Sequence, residues 1–447
     1  MSTDVLADFK DKLLTLPALP HSYISLEKAD DVELPVSHLQ ASLTQPFAAT
    51  EVLQAFLSHN TTVAEGKDVK TVHDVKLIQH QDAAHHYWPG DTIGILSNNI
   101  DSDVLYILEH LNLLSQADIT WKVGISTGTA KKGAKLPTFV PELISFRRLF
   151  KECLDLRAIP KKLFIRALVP CATEPQDRRF LEVLCSKEGN SAYERVVLQQ
   201  GKGLISLLQL VPSCKPNTTL LIEHLPRLMP RPYSIANVYH EDTNPVVRFL
   251  FSHDKQNPGI TTTFLQGLEK GATVYFCFRQ SSAFTYKDSD IMRNIIMVGT
   301  GTGISPYLAF LEQRSKALAK GETVGRAELF AGFRYRERSY LCKEEIAEHL
   351  QEGSLDACHE AFSRDENTSH KYVQSHMREN KNTIINNIKH PLGLFYVCGD
   401  SKVLLPQITD TIIDILAEEP GAEDKEDIKT FVAQLKKEGK YREDVWL

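Results

Sequence analysis

Hydrophobic and polar positions follow two rhythms along this chain, and the change between them divides it. From residue 294 onward, apolar runs at 295–298, 328–332, 355–362 and 394–397 are separated by stretches of helical period. Short apolar strands alternating with helices are the pattern of a parallel, doubly wound sheet. The last helix places Ile428, Phe431, Val432 and Leu435 on one face. Upstream the rhythm is that of antiparallel strands. Alternation at 32–36, 71–78 and 92–96, and again at 219–223, 233–238, 246–252 and 273–279, suffices for a small antiparallel barrel. Pro35 confines the first of these to a sheet edge. Residues 48–59 read as a short helix. Tyr87-Trp88-Pro89-Gly90-Asp91 is a turn fixed by its proline and glycine.

Helical period interrupts the strands twice. Val104, Ile107, Leu108 and Leu111 share a face, with Asp101 or Ser102 as the cap. Over 142–210, Leu143, Phe146, Phe150, Cys153 and Leu154 lie along one helical face, and prolines punctuate further helical runs. This block reads as an all-helical insertion. Residues 4–15 form a short helix before the turn-rich 16–20. The division expected is a tether over 1–31, a first barrel part over 32–141, the insertion over 142–213, a second barrel part over 214–287, and the α/β domain over 288–447.

Composition narrows the functional classes. At 447 residues the chain holds two or three domains. A net charge of −6 disfavours a general nucleic-acid binder, and no apolar run approaches the roughly 18 residues of a membrane span. The start lacks the basic-then-apolar layout of a signal peptide, and the acids Asp4, Asp8 and Asp11 disfavour a transit peptide. Eight cysteines without a CxxC or zinc-type spacing suit a reduced, cytoplasmic protein. The sequons at Asn60, Asn217 and Asn367 then read as chance matches.

Three stretches carry chemistry. In Asn294-Ile-Ile-Met-Val-Gly299-Thr-Gly301-Thr-Gly303-Ile-Ser305-Pro306, an apolar strand runs into alternating glycines and then a helix. Such a loop lets a phosphate approach the backbone at a helix N-terminus, with Ser305 as cap and Pro306 in the first turn. The spacing is neither GxGxxG nor a P-loop. Downstream, Arg334, Ser363, Arg364, Lys371 and Tyr372 supply cations, a hydroxyl and a stacking ring. That set describes a ribose 2′-phosphate pocket and favours NADP over NAD. In Arg231-Pro232-Tyr233-Ser234, a cation, a ring and a hydroxyl suit a planar cofactor with a phosphate tail. Cys398 ends a strand where open α/β sheets bind ligands, or else fills the core. Trp446 either seals the core or covers something planar.

In order, YWPGD (87–91), RPYS (231–234), PGITT (258–262), GTGISP (301–306), GFRYRERSYL (332–341), FSRD…KYVQ (362–374), YVCGD (396–400) and YREDVW (441–446) resemble the FAD/NADPH half of the NADPH-dependent diflavin reductases. The stretches LPALP (16–20), KKGAKLP (131–137), 156–169, CSKEG (185–189) and 213–234 are most similar to the methionine synthase reductase branch. The resemblance implies an antiparallel FAD-binding β-barrel with an all-helical insertion, then a ferredoxin-NADP-reductase-like NADPH-binding domain. It implies that Arg231 binds FAD phosphate, Tyr233 stacks on the flavin, and Gly259, Ile260, Thr261 and Thr262 hold the pyrophosphate. Gly301, Thr302 and Pro306 then hold the NADPH pyrophosphate, and Arg334, Ser363, Arg364, Lys371 and Tyr372 its adenosine 2′-phosphate. Ser234, Cys398 and Asp444 surround the hydride path, and Trp446 shields the flavin.

The implied activity is hydride transfer from NADPH to FAD and onward electron transfer through FMN to the cobalamin of methionine synthase. No flavodoxin-type phosphate loop precedes residue 32, so FMN is expected from a separate domain or partner. A reductase serving a haem protein or a separate flavodoxin, or a non-catalytic remnant, are the alternatives. Phe264 stands where relatives tend to carry a tryptophan, which bears on fine FAD contacts.

Overall fold

The computed structural model describes residues 6–29, 32–79, 85–240, 245–279, 283–366 and 368–446. Its strands in chain order are β1 (Ile24–Lys28), β2 (Leu53–Gly66), β3 (Val69–Gln79), β4 (Thr92–Leu96), β5 (Thr120–Ile125), β6 (Leu143–Ser145), β7 (Arg231–Ser234), β8 (Val246–His253) and β9 (Thr273–Phe278). They continue with β10 (Asn294–Thr300), β11 (Ala327–Phe333), β12 (Ala357–Phe362), β13 (Gly393–Asp400) and β14 (Tyr441–Trp446). The chain divides into two compact units, one of residues 1–46 and 96–230, the other of 47–95 and 231–447.

The second unit contains the barrel and the α/β domain. Six strands pair in the order β7-β4-β9-β2-β3-β8, and an Ile235–Phe249 bridge joins the two ends, closing the sheet into a barrel. Alternate residues point inward, so Ala55, Leu57, Val75, Leu77, Ile93, Ile95, Phe249 and Phe251 fill it. Five parallel strands in the order β12-β11-β10-β13-β14 form the α/β sheet. Helices cover both faces, which is why β11 is buried along its whole length. The helix Leu404–Ala417 packs Ile408, Ile412 and Ile415 against one face; Ser305–Ala319 buries Tyr307, Phe310 and Leu311 against the other. Polar bonds tie barrel to sheet. Arg248 on β8 pairs with Asp74 on β3 at 2.8 Å and with Glu345 at 3.0 Å.

The first unit holds a three-stranded sheet, β1-β5-β6, and the helices Asp101–His110, Phe146–Glu152, Lys162–Leu168, Pro175–Cys185, Leu204–Leu210 and Thr218–His224 around one apolar core. Among the described residues no helix is long and apolar enough to cross a membrane. None of the eight cysteines is in a disulfide.

Several sequence expectations are corrected. Residues 32–36 form no strand, because the Arg148 guanidinium satisfies the carbonyls of Pro35 and Ser37 in place of a sheet neighbour. Residues 53–59, expected as helix, begin β2: Ala55 and Leu57 face the barrel while their neighbours face out. The stretch 219–223, expected as a strand, is helical, since Asn217 caps Thr218–His224 by accepting from the Leu220 N–H. Helical structure therefore extends past 213. Leu143 lies in β6, not on the helix face assigned to it. The helix Asp101–His110 is preceded by Ile100 without a side-chain cap, so neither Asp101 nor Ser102 serves. The strand read at 233–238 is β7, ending at Ser234. Phe431 sits on the solvent side of its helix, 36% exposed. Of the N-terminal helix, only residues 6–8 are helical among those described. Asn367 lies outside the described residues, whereas the Asn60 amide donates to the Leu265 carbonyl at 2.9 Å.

Candidate active site

Two sets of residues converge where the barrel meets the parallel sheet, both within the second unit. The first is built by strand register. β13 and β14 pair so that Cys398 stands opposite Asp444. β7 pairs with β4, Ser234 opposite Thr92, and the Ser234 hydroxyl donates to Asp444 Oδ2 at 2.7 Å. The Ser234 carbonyl accepts from the Ser305 hydroxyl at 3.3 Å. Ser305 therefore does not cap its helix: a 3-10 turn over Gly301–Ile304 leads in, Ser305 is the first helical residue and Pro306 the second. Ser234, Cys398 and Asp444, distant in sequence, thus meet around one buried point.

Electrostatics there favour neutral forms. Burial raises the pKa of Asp444, against the pull of the Ser234 hydrogen bond and the Arg279 charge. Burial and the Asp444 carboxylate push the Cys398 thiol well above its ordinary value. Tyr307, wholly buried, has its hydroxyl raised by burial and then by Cys398 and Asp444, and it donates to the Val298 carbonyl at 2.9 Å. A carboxyl, a hydroxyl and a thiol in a low-dielectric pocket can orient a reacting ring and move a proton without exposing it to bulk water.

Tyr233, beside Ser234, stacks at a tilt on Phe249 with centroids 5.0 Å apart. Its hydroxyl is buried without a hydrogen-bond partner, and burial raises its pKa. A buried unpaired hydroxyl on a half-covered ring fits a ligand that supplies both stacking surface and a polar atom. Arg231 is exposed at the strand's start. Gly259 precedes the helix Ile260–Gln266; the Thr262 hydroxyl donates to the Gly259 carbonyl at 3.2 Å and lies 3.3 Å from His253 Nδ1. Thr261 is buried and Ile260 opens the helix.

The second set lines a cleft of about 1060 Å³ over the C-terminal ends of the parallel strands, where open α/β sheets bind ligands. Gly301 and Thr302 form its floor. Gly301 has φ +55°, and a Cβ there would meet nothing within 4 Å. At Gly299 a Cβ would fall 2.8 Å from the Gly303 carbonyl oxygen, so the turn requires glycine there. Arg334, Ser363, Lys371 and Tyr372 line the wall, Tyr372 60% exposed. Arg364 does not line the cleft. It pairs with Asp68 at the tip of the β2–β3 hairpin, 2.5 Å away, and the guanidiniums of Arg334 and Arg338 donate to the Asp68 and Lys67 carbonyls. Pro306 is buried behind the loop. The backbone of Trp446 pairs opposite Asp400; its side chain lies outside the described residues.

Sequence reasoning missed Arg279, whose charge reaches Asp444, and the cleft residues Gln407, Asp410 and Thr411. The signal for the last three is a polar edge at three- and four-residue spacing on an otherwise apolar helix. Nothing near Arg279 in the sequence points to Asp444, which lies on another domain's last strand.

Comparison with known proteins identifies two kinds of domain along the chain. Residues 45–251 match an FAD binding domain, and residues 297–408 an oxidoreductase NAD-binding domain. The chain is 33% identical to methionine synthase reductase of Bos taurus, over 97% of this chain and 66% of that protein. It is 32% identical to the Rattus norvegicus methionine synthase reductase, over 98% of this chain and 68% of the relative. Against the NADPH–cytochrome P450 reductase of Bos taurus it is 28% identical, over 90% of this chain and 59% of the relative. The chain spans about two thirds of the length of the methionine synthase reductases it matches.

Proposed function

Because the chain belongs to the methionine synthase reductase family of flavoprotein oxidoreductases, we propose that it takes hydride from NADPH onto FAD and passes electrons, through FMN, to the cobalamin of methionine synthase. The observation that carries the reading is the Ser234–Asp444 hydrogen bond with Cys398 across the strand from Asp444. Redox chemistry of this kind resides in the cofactors, FAD accepting the hydride that the nicotinamide gives up. The protein's part is geometry and dielectric.

On this reading, Tyr233 stacks on the flavin ring with its unpaired hydroxyl towards a polar group of the cofactor. Arg231 and the segment Gly259, Ile260, Thr261 and Thr262 hold its phosphates. Ser234 orients the ring edge, Asp444 holds Ser234 by accepting its hydrogen bond, and the thiol of Cys398 packs against the nicotinamide. Gly301 and Thr302 receive the NADPH pyrophosphate. Arg334, Ser363, Lys371 and Tyr372 take the adenosine 2′-phosphate, with Arg364 joining once Asp68 releases it. Trp446 covers the flavin until nicotinamide displaces it, so Trp446→Ala raises the use of NADH relative to NADPH; an unchanged preference refutes that role.

The test is direct. Purified protein reconstituted with FAD retains yellow flavin after gel filtration and reduces ferricyanide with NADPH. Colourless protein without such activity overturns the enzymatic reading. Reduction of methionine synthase cobalamin, in the presence of an FMN domain, tests the acceptor. The likeness to cytochrome P450 reductase supports a second reading, a haem-protein acceptor, and a cytochrome c assay under the same conditions separates the two.

A further inference from the structure

We propose a divalent transition-metal site formed by His370, His376 and Glu379, beside the cleft. One donor atom from each of these residues lies within 4.8 Å of the other two. His370 Nε2 is 2.7 Å from one Glu379 oxygen, and His376 Nδ1 is 3.9 Å from the other. Donor atoms around a tetrahedral zinc ion are spaced by about 3.3 Å, midway between these contacts. Small side-chain shifts, with Glu379 half exposed and free to swing, bring all three to an ion. His376 and Glu379, three residues apart, share one face of the helix Val373–Glu379.

His376 is already in the tautomer that ligation needs. The Glu360 carbonyl can only accept, so His376 Nε2, 2.9 Å away, carries the proton and Nδ1 holds the free lone pair. That lone pair faces Glu379. His370 Nε2, 2.7 Å from a Glu379 oxygen that can only accept, carries its proton here; an ion taking that place moves the proton to Nδ1, 2.8 Å from the Ser369 hydroxyl, which can accept it. A histidine ligand anchored through its other ring nitrogen to an oxygen is the arrangement metal sites use to orient imidazoles. The neighbouring His359 is committed elsewhere, 3.0 Å from Glu328. Two imidazoles and one carboxylate suit zinc over magnesium or calcium and leave the fourth position to water.

Position gives the site a consequence. His370 immediately precedes Lys371 and Tyr372, and His376 and Glu379 follow them on the helix. A bound ion therefore clips both ends of the segment that lines the cleft wall. It adds positive charge and orders Lys371 and Tyr372, so zinc occupancy tightens phosphate binding in the cleft. This coupling rests on the cleft reading given above; the ion site itself does not.

The experiment titrates the FAD-loaded full chain with Zn²⁺ against a chromophoric chelator, and with Co²⁺ for its visible bands to the red of the flavin. One equivalent of zinc and a tetrahedral cobalt spectrum are expected. His376→Ala and Glu379→Gln each weaken zinc by at least about 10-fold, while His359→Gln and millimolar Mg²⁺ change nothing. Flavin absorbance reports that each variant is folded. No stoichiometric uptake, or uptake equally insensitive to His376→Ala and Glu379→Gln, overturns the site. So does an equal loss in His359→Gln. In the second arm, affinity for adenosine 2′-phosphate rises several-fold with zinc. Zinc uptake without that rise supports the ion site and counts against the cleft reading.

Discussion

The buried trio and the cleft wall differ in how they are built. Ser234, Cys398 and Asp444 sit on strands, held by ladder register and one 2.7 Å hydrogen bond, with Cys398 wholly buried and the other two partly so. Lys371, Tyr372 and Arg364 sit on a connecting segment beyond β12, largely exposed, and Arg364 is already committed to Asp68. Reacting atoms need placement to a fraction of an ångström, which a sheet provides. Recognition of a charged group tolerates mobility and gains from it, because the cations adjust as the phosphate arrives.

The sharpest way to break this contrast is Asp444→Ala. It frees the Ser234 hydroxyl in the rigid region, and flavin reduction by NADPH in stopped flow should slow by about 100-fold with little change in NADPH affinity. If affinity falls and the rate does not, the trio is a binding element. Next, Lys371→Ala in the exposed region should raise the NADPH KM by about 10-fold, the loss of one charge-assisted hydrogen bond, and leave the NADH KM alone. Arg364→Ala should do less, about threefold, because an exposed pair with Asp68 has first to be broken. Equal effects from both would mean that the hairpin contact does not compete with phosphate. Releasing that contact by Asp68→Ala should lower the NADPH KM by a similar small factor.

The smallest effect concerns pH. The folded pKa of Asp444 is raised above its ordinary 3.8. Between these two values the folded chain keeps a proton that the unfolded chain has lost. The stability Asp444 contributes is therefore full below its unfolded pKa and declines as pH rises through the folded one. Asp444→Asn lacks that decline. Thermal melts of the two proteins from pH 4 to 7 should show wild type losing ground to the variant as pH increases, and parallel curves would contradict the burial argument.

The same division explains what the sequence disclosed. The central parallel strands are continuous apolar runs buried on both faces, so β10, β11 and β13 were legible to within a few residues. β14 was not read as a strand, because YREDVW is an edge strand paired on one side only and carries charged residues. Half of β2 is polar and exposed beyond Leu57, which obscured the long hairpin. The helix Thr218–His224 defeated the reading because β-branched residues mimic a strand unless the Asn217 cap is weighed. In the candidate site, glycine spacing announced the phosphate loop. The Asp68–Arg364 pair spans 296 positions, and no local pattern carries such information. Likewise His370, His376 and Glu379 lack recognised metal spacing and converge only because a helix follows the segment directly.

The wholly buried thiol of Cys398 has one more use. A thiol without solvent contact, disfavoured as thiolate, reacts with an alkylating reagent only while the strand around it is open. Its labelling rate is thus a clock for local opening of the central sheet, readable by mass spectrometry in intact protein. A ligand that seats against this strand should slow the clock, even one that never transfers an electron.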